Sequence, residues 1–200
     1  MKEIWRLPFR YSFSSKLKKR GVRIIASNCI GGILYHDLRH EFLSPTINLY
    51  IENFIDFVEN LDSNLKLELE DAGYSKSGYP LAKIGSSIIH GVHYHSFESL
   101  RDKWVQRTRK FFASTGEIIV ICTDSQLAAE DYEKFKKLPY KKVCFCNKKT
   151  PNDDFVYIPG FENRESVGDV LRYTDLFGTR LFQKYFDIVS FINKDLHGNA

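Results

Sequence analysis

The chain has 200 residues, of which 43% are hydrophobic, 27% charged and 14% aromatic, and this is enough apolar material to exclude a disordered or collagen-like chain. The formal net charge of +4 is uneven: Lys2, Arg6, Arg10, Lys16, Lys18, Lys19 and Arg20 against Glu3 give residues 1–20 a charge of +6, and the remaining 22 basic and 24 acidic residues leave −2. That split disfavours a uniformly basic nucleic-acid-binding domain, and no nucleic-acid partner is expected.

In residues 1–20, Trp5, Leu7, Phe9, Tyr11 and Phe13 alternate with polar or basic residues before the cluster Lys16–Arg20. Aromatics beside a cationic cluster suit an anionic membrane surface; the competing expectation is an arm packed on the domain. No apolar run approaches the ~18 residues of a membrane span. Arg6, Pro8 and Arg10 break any signal-peptide core. Four cysteines, unevenly placed, do not make a disulfide framework. The expected location is cytoplasmic, with peripheral contact to the inner face of the membrane through residues 1–20.

Residues 21–200 read as one α/β domain. Val22–Ala26 is a short buried strand, Ser27–Gly32 a turn and Ile33–Phe42 a helix. Ile51–Leu61 has helical spacing, and Leu65–Leu69 alternates like a strand. Residues 73–80 form a loop, followed by strands at Leu81–Ile84 and Ile88–His95. In Phe97–Phe112 the residues Phe97, Leu100, Trp104, Thr108 and Phe111 mark one helical face. Glu117–Cys122 is the near-continuous apolar run of a central strand covered on both faces. Leu127–Lys137 is helical, Lys142–Cys146 and Phe155–Ile158 are strands, and Val167–Tyr173 and Leu176–Ile192 are helical. Alternating strands and helices predict a single layered domain, Rossmann-like, with a mixed or mostly parallel sheet flanked by helices.

The Ser27–Gly32 loop sits where open α/β sheets bind ligands, at a strand's carboxyl end. Gly31 and Gly32 would allow close backbone approach, and a following helix N-terminus would favour an anion. The spacing is neither G-x-G-x-x-G nor a P-loop, so neither a dinucleotide nor an ATP fingerprint is present. Cys29 in this loop is a candidate nucleophile, its thiol pKa lowered by the helix N-terminus; the alternative is a small residue filling the turn. His93 and His95 would share one strand face, as an acid/base pair or as metal ligands, with His90 on the other; the alternative is one structural and one exposed histidine. His36, one turn into the first helix, could approach the same loop. Asp124 follows the central strand, but Asp124-Ser125-Gln126 lacks the second carboxylate of a D-x-D metal signature, and no metal site is assigned. Arg101, Lys103 and Arg107 either clamp phosphate or decorate a solvated helical face.

In order along residues 21–195 stand Ser27-Asn28-Cys29 with Gly31-Gly32, Tyr35, Ser44-Pro45-Thr46, Tyr79-Pro80, His93-Tyr94, Ser96-Phe97-Glu98, Lys103-Trp104, Leu138-Pro139-Tyr140, and Phe186-Asp187 with Asn193. This series resembles a family of uncharacterised bacterial proteins found among capsule and exopolysaccharide biosynthesis genes. The resemblance implies an α/β fold and a place in surface-polysaccharide assembly, and supplies no reaction. It adds Thr46 to the substrate-binding candidates and leaves residues 1–20 outside. The chain departs from it at Ile30, where members carry an aromatic, and at Gln126, where many carry a second acidic residue.

Together these readings predict a transferase using an activated sugar or other phosphorylated donor on a polysaccharide or lipid-linked acceptor. Asn28, Gly31, Gly32, His36 and Thr46 would bind substrate. His93 or His95 would act as base, Asp124 would orient a sugar or that histidine, and Arg101, Lys103 or Arg107 would balance leaving-group charge. No cofactor is assigned. The alternatives are acyl transfer through Cys29 with a histidine as base, and a non-catalytic sugar-binding or assembly factor.

Overall fold

The computed structural model describes residues 13–195. The fold is α/β and contains two four-stranded sheets where the sequence suggested one. The parallel sheet consists of β1 (Arg23–Ala26), β6 (Ile118–Thr123), β7 (Lys141–Cys146) and β8 (Phe155–Tyr157), in that order. The antiparallel sheet has the order β2-β5-β4-β3 and is built from β2 (Tyr50–Ile51), β3 (Glu70–Tyr74), β4 (Pro80–Ile84) and β5 (Ser87–His90). Beyond the basic segment, where residues 13–15 are helical, the α-helices among the described residues are α1 (Ile30–Asp37), α2 (Phe54–Glu59), α3 (Leu61–Asn64), α4 (Phe97–Ala113), α5 (Asp131–Lys137) and α6 (Ile188–Asn193).

The parallel strands are apolar on both faces because both faces are covered. Ile25, Val120, Cys122 and Cys144 join one core with α2, α4, Phe135 of α5 and the inner face of the antiparallel sheet. Ile24, Ala26, Ile119, Ile121, Val143 and Phe145 join the other with α1 and the C-terminal segment. The loops leaving the neighbouring strands β1 and β6 therefore diverge to opposite faces, which opens a crevice at their carboxyl ends.

β1 is an edge strand whose outward backbone groups are satisfied by side chains. The Tyr35 hydroxyl accepts from the Ile24 N–H (2.8 Å) and donates to the Val22 carbonyl (3.0 Å). The Thr46 hydroxyl accepts from the Ala26 N–H (3.1 Å). Buried Thr46 thus fastens the strand edge, which corrects its assignment as a substrate contact.

Three expectations fail for physical reasons. The first helix begins at Ile30, so Gly31 and Gly32 lie inside it and are buried. A Cβ on Gly32 would collide with Asn48 Oδ1, and one on Gly31 would press on the Ala26 Cβ at 3.1 Å. These glycines admit the helix to its neighbours; they do not admit a ligand to the backbone. Residues 65–69 are irregular, and the strand lies at Glu70–Tyr74. The stretch from Val167 to Asp187 is largely irregular: Gly178 is left-handed (φ 81°), Tyr173 bridges Arg180, and Leu176 and Phe177 are 87% and 78% exposed. After a 3₁₀ turn at Phe182–Lys184, α-helix begins where Asp187 caps α6, accepting from the Val189 and Ser190 N–H groups.

The end of the basic segment is a packing arm. Leu17 joins the second core. The Lys18 N–H donates to Asn193 Oδ1 (2.8 Å), and Asn193 Nδ2 donates to the Lys16 carbonyl (2.8 Å). Lys19 pairs with Glu117 (3.1 Å) and Asp195 (3.0 Å). Trp5, Leu7, Phe9 and Tyr11 lie outside the described residues. No helix among the described residues is long and apolar enough to cross a membrane.

Candidate functional site

Cys29 is the residue before α1, in the loop that leaves β1. Its carbonyl accepts from the Ile33 N–H (3.1 Å), and Asn28 Oδ1 accepts from the Ile30 N–H (2.9 Å). Asn28 therefore shapes the turn with its own side chain. Of the four cysteines, all free, only Cys29 escapes full burial.

His93 and His95 are not on a strand. β5 ends at His90, where the Gly91 N–H turns back to the Pro80 carbonyl (2.9 Å) and the Tyr94 N–H to the Gly91 carbonyl (2.8 Å). Ser96 then opens α4 with a reciprocal Ser96–Ser99 capping box. The same-face argument for His93 and His95 fails with the strand. Both are exposed, in a loop held from below by Arg107, which donates to the Tyr94 hydroxyl (2.8 Å) and the Ile47 carbonyl (3.3 Å).

This loop brings His93 Nε2 to 3.4 Å from Cys29 Sγ. That is hydrogen-bond range for sulfur and the distance a thiol–imidazole proton transfer needs. Burial pushes the Cys29 thiol up from its ordinary value, opposite to the lowering expected from the helix N-terminus alone. The imidazole at this distance is placed to take the thiol's proton when the pair reacts.

Across the crevice, residues 124–126 form a short 3₁₀ turn after β6. Gln126 reaches over to β1: its Nε2 donates to the Ser27 carbonyl (2.7 Å), and its Oε1 accepts from the Ser27 hydroxyl and from the Thr123 N–H (3.2 Å). Gln126 thus locks the strand end that carries Cys29. The sequence named Gln126 only for the carboxylate it lacks, and missed this role because the two residues lie 99 positions apart.

Asp124 is committed elsewhere. Its two carboxylate oxygens accept from the N–H groups of Val167 and Asn147, both at 2.8 Å. Burial still raises its pKa, against those hydrogen bonds. It ties the β7 end and the C-terminal segment to β6, so orientation of His93 has no support in its contacts.

The remaining candidates disperse. Arg101 and Lys103 are exposed on α4, where Arg101 meets Asp102 (3.6 Å) and Lys103 meets Gln106 (3.4 Å). His36 is exposed in the last turn of α1 and, with Gly32, lines a shallow hollow of about 280 Å³ that includes Phe42, Asn48 and Arg180. Cys29, Gly32, Ile33 and His36 follow the three- and four-residue spacing of one helix face. The hollow itself is lined from Gly32 onward, and Cys29 lies on the same helix face one turn before it. Arg180 Nε has no partner there. Among the described residues, no three His, Cys, Asp or Glu side chains group to hold a metal ion.

The model of a family described as "Domain of unknown function (DUF1919)" matches residues 1–193. The match begins at residue 1, so it includes the basic segment that the sequence resemblance left outside. An "Uncharacterized protein" of Haemophilus influenzae is 34% identical over 183 residues, which cover 89% of this chain and 87% of the relative.

Proposed function

The chain belongs to the family described as a domain of unknown function (DUF1919), and we propose that it is a cysteine-dependent acyltransferase with Cys29 as nucleophile and His93 as base. The observation that carries the reading is the 3.4 Å approach of Cys29 Sγ to His93 Nε2. It favours acyl transfer over transfer from an activated sugar, because it pairs the histidine with a thiol and not with Asp124.

The proton of the Cys29 thiol passes to His93, and the thiolate attacks the donor's acyl carbonyl. The donor's leaving group departs with that proton, and an acyl-thioester remains on Cys29. An acceptor hydroxyl then gives its proton to His93 and attacks the thioester, and the thiolate is released. The N-terminus of α1 supplies partial positive charge at the thiolate. Gln126 fixes the loop, and Arg107 fixes the histidine through Tyr94. The resemblance to proteins of capsule and exopolysaccharide loci supports a carbohydrate hydroxyl as acceptor, in a polysaccharide or lipid-linked precursor.

Incubation with an acyl thioester and intact-mass analysis tests the reaction. The expected result is one acyl adduct on Cys29, absent in Cys29→Ser and slow to form in His93→Ala. Turnover of nucleotide sugars that survives alkylation of Cys29, with no acyl adduct from thioesters, overturns the proposal.

A further inference from the structure

One face of α4 and the irregular residues 65–69 enclose a groove of about 490 Å³, apart from the Cys29–His93 pair. On α4 the groove residues Arg101, Trp104, Val105, Thr108 and Arg109 follow the spacing of a single helix face. Trp104 is 3% exposed, and its indole Nε1 has no hydrogen-bond partner. The Thr108 hydroxyl, one turn on, has none either. Buried donors are normally satisfied, so two neighbouring orphans at one groove floor leave capacity for a ligand's acceptor.

On the helix side Arg101 lies within electrostatic reach of Glu98 as well as Asp102, and Arg109 carries the unopposed positive charge. Arg109 has no ion pair among the described residues, and the carboxylate beside Arg101 is Asp102, adjacent on the same helix. On the facing segment Lys66 is paired with Asp62, and Glu68 adds one carboxylate to the exposed rim. Indole and guanidinium groups only donate hydrogen bonds. A ligand head satisfying this floor must accept hydrogen bonds, and the unpaired Arg109 favours one with negative charge. The walls ask for something else. Leu65 and Leu69 are buried, and Leu67 and Val105 are 48% and 41% exposed, which is much apolar surface to leave in water.

We propose that this groove binds a small amphiphilic anion, an alkyl chain with a carboxylate or phosphate head, the head toward Trp104, Thr108 and the two arginines and the chain against the leucines. The assignment is independent of the acyl-transfer reading.

The chain has two tryptophans, so the Trp5→Phe variant leaves Trp104 as the reporter. Its fluorescence is titrated with octanoate, octyl phosphate, octanol and inorganic phosphate, all below micelle-forming concentrations. The expected result is a saturable change with octanoate or octyl phosphate, and binding about tenfold weaker or worse for octanol and inorganic phosphate. Whichever anion binds more tightly identifies the head group. A double Arg101→Gln, Arg109→Gln variant with an unchanged melting temperature should weaken binding about tenfold; if it does not fold, Thr108→Val should weaken it instead. No saturable change with either anion, equal binding of octanol, or unchanged binding in a folded variant overturns the assignment.

Discussion

Replacing Tyr35 by Phe isolates how the edge of the parallel sheet is held. The ring is buried on α1 and keeps its packing, so the variant loses only the hydroxyl. That hydroxyl accepts from the Ile24 N–H at 2.8 Å and donates to the Val22 carbonyl at 3.0 Å. Each orphaned buried group costs about 1–3 kcal/mol. The carbonyl tolerates the loss better than the N–H, which gives roughly 2–4 kcal/mol in all. In a chain of this size that lowers the melting temperature by roughly 4–16 °C. The loss also depends on pH. Burial holds the Tyr35 phenol far above its ordinary value of 10.0. Above about pH 10 the unfolded chain releases this proton while the folded chain keeps it, so the wild type loses stability as pH rises. Tyr35→Phe lacks that loss, and its deficit should narrow in alkaline solution. Urea unfolding of both proteins near neutrality and at about pH 10.5 reads both effects. A deficit below about 0.5 kcal/mol near neutrality, or one that stays constant with pH, refutes the side-chain account of the strand edge.

Two further substitutions test the two ends of the β1–β6 pair, Asp124 after the carboxyl ends and Gly116 before the amino ends. Asp124→Asn leaves one oxygen for two backbone donors and turns an amide NH₂ against the other. It should cost about 1–3 kcal/mol and expose residues 147–167 to limited proteolysis; an unchanged melting curve and digestion pattern contradict the clamp. Gly116→Ala would place a Cβ on the Gly21 carbonyl, a backbone group that cannot step aside. We expect a loss of about 3 kcal/mol or more by circular dichroism melting, and a well-folded variant of wild-type stability contradicts the close approach of these two turns.

The parallel sheet was legible because its strands are short apolar runs between breakers, as at Ile24–Ala26 and Ile118–Cys122. The longest helix, α4, was legible from its apolar stripe. Periodicity misled where apolar residues are exposed: Leu176 and Phe177 fit a helix on paper and project into solvent beside a left-handed Gly178. It misled again at His93, where alternation continued past the point at which Gly91 ends the ladder. Cys29 and His93 were each visible as reactive residue types. Their pairing was not, because 64 residues separate them and a turn positions the histidine. Gln126 and Arg107 act through groups remote in the chain, Ser27 and Tyr94, and such contacts leave no local pattern.

The pairing of Cys29 with His93 is the centre of the account, and thiol alkylation as a function of pH tests it directly. Cys122, Cys144 and Cys146 are buried, so iodoacetamide reports on Cys29 in the folded protein. The pair predicts a wild-type rate profile with reactivity at neutral pH that His93→Ala removes, because the variant's thiol has lost the imidazole that accepts its proton. Superimposable profiles for the two proteins would contradict the pair.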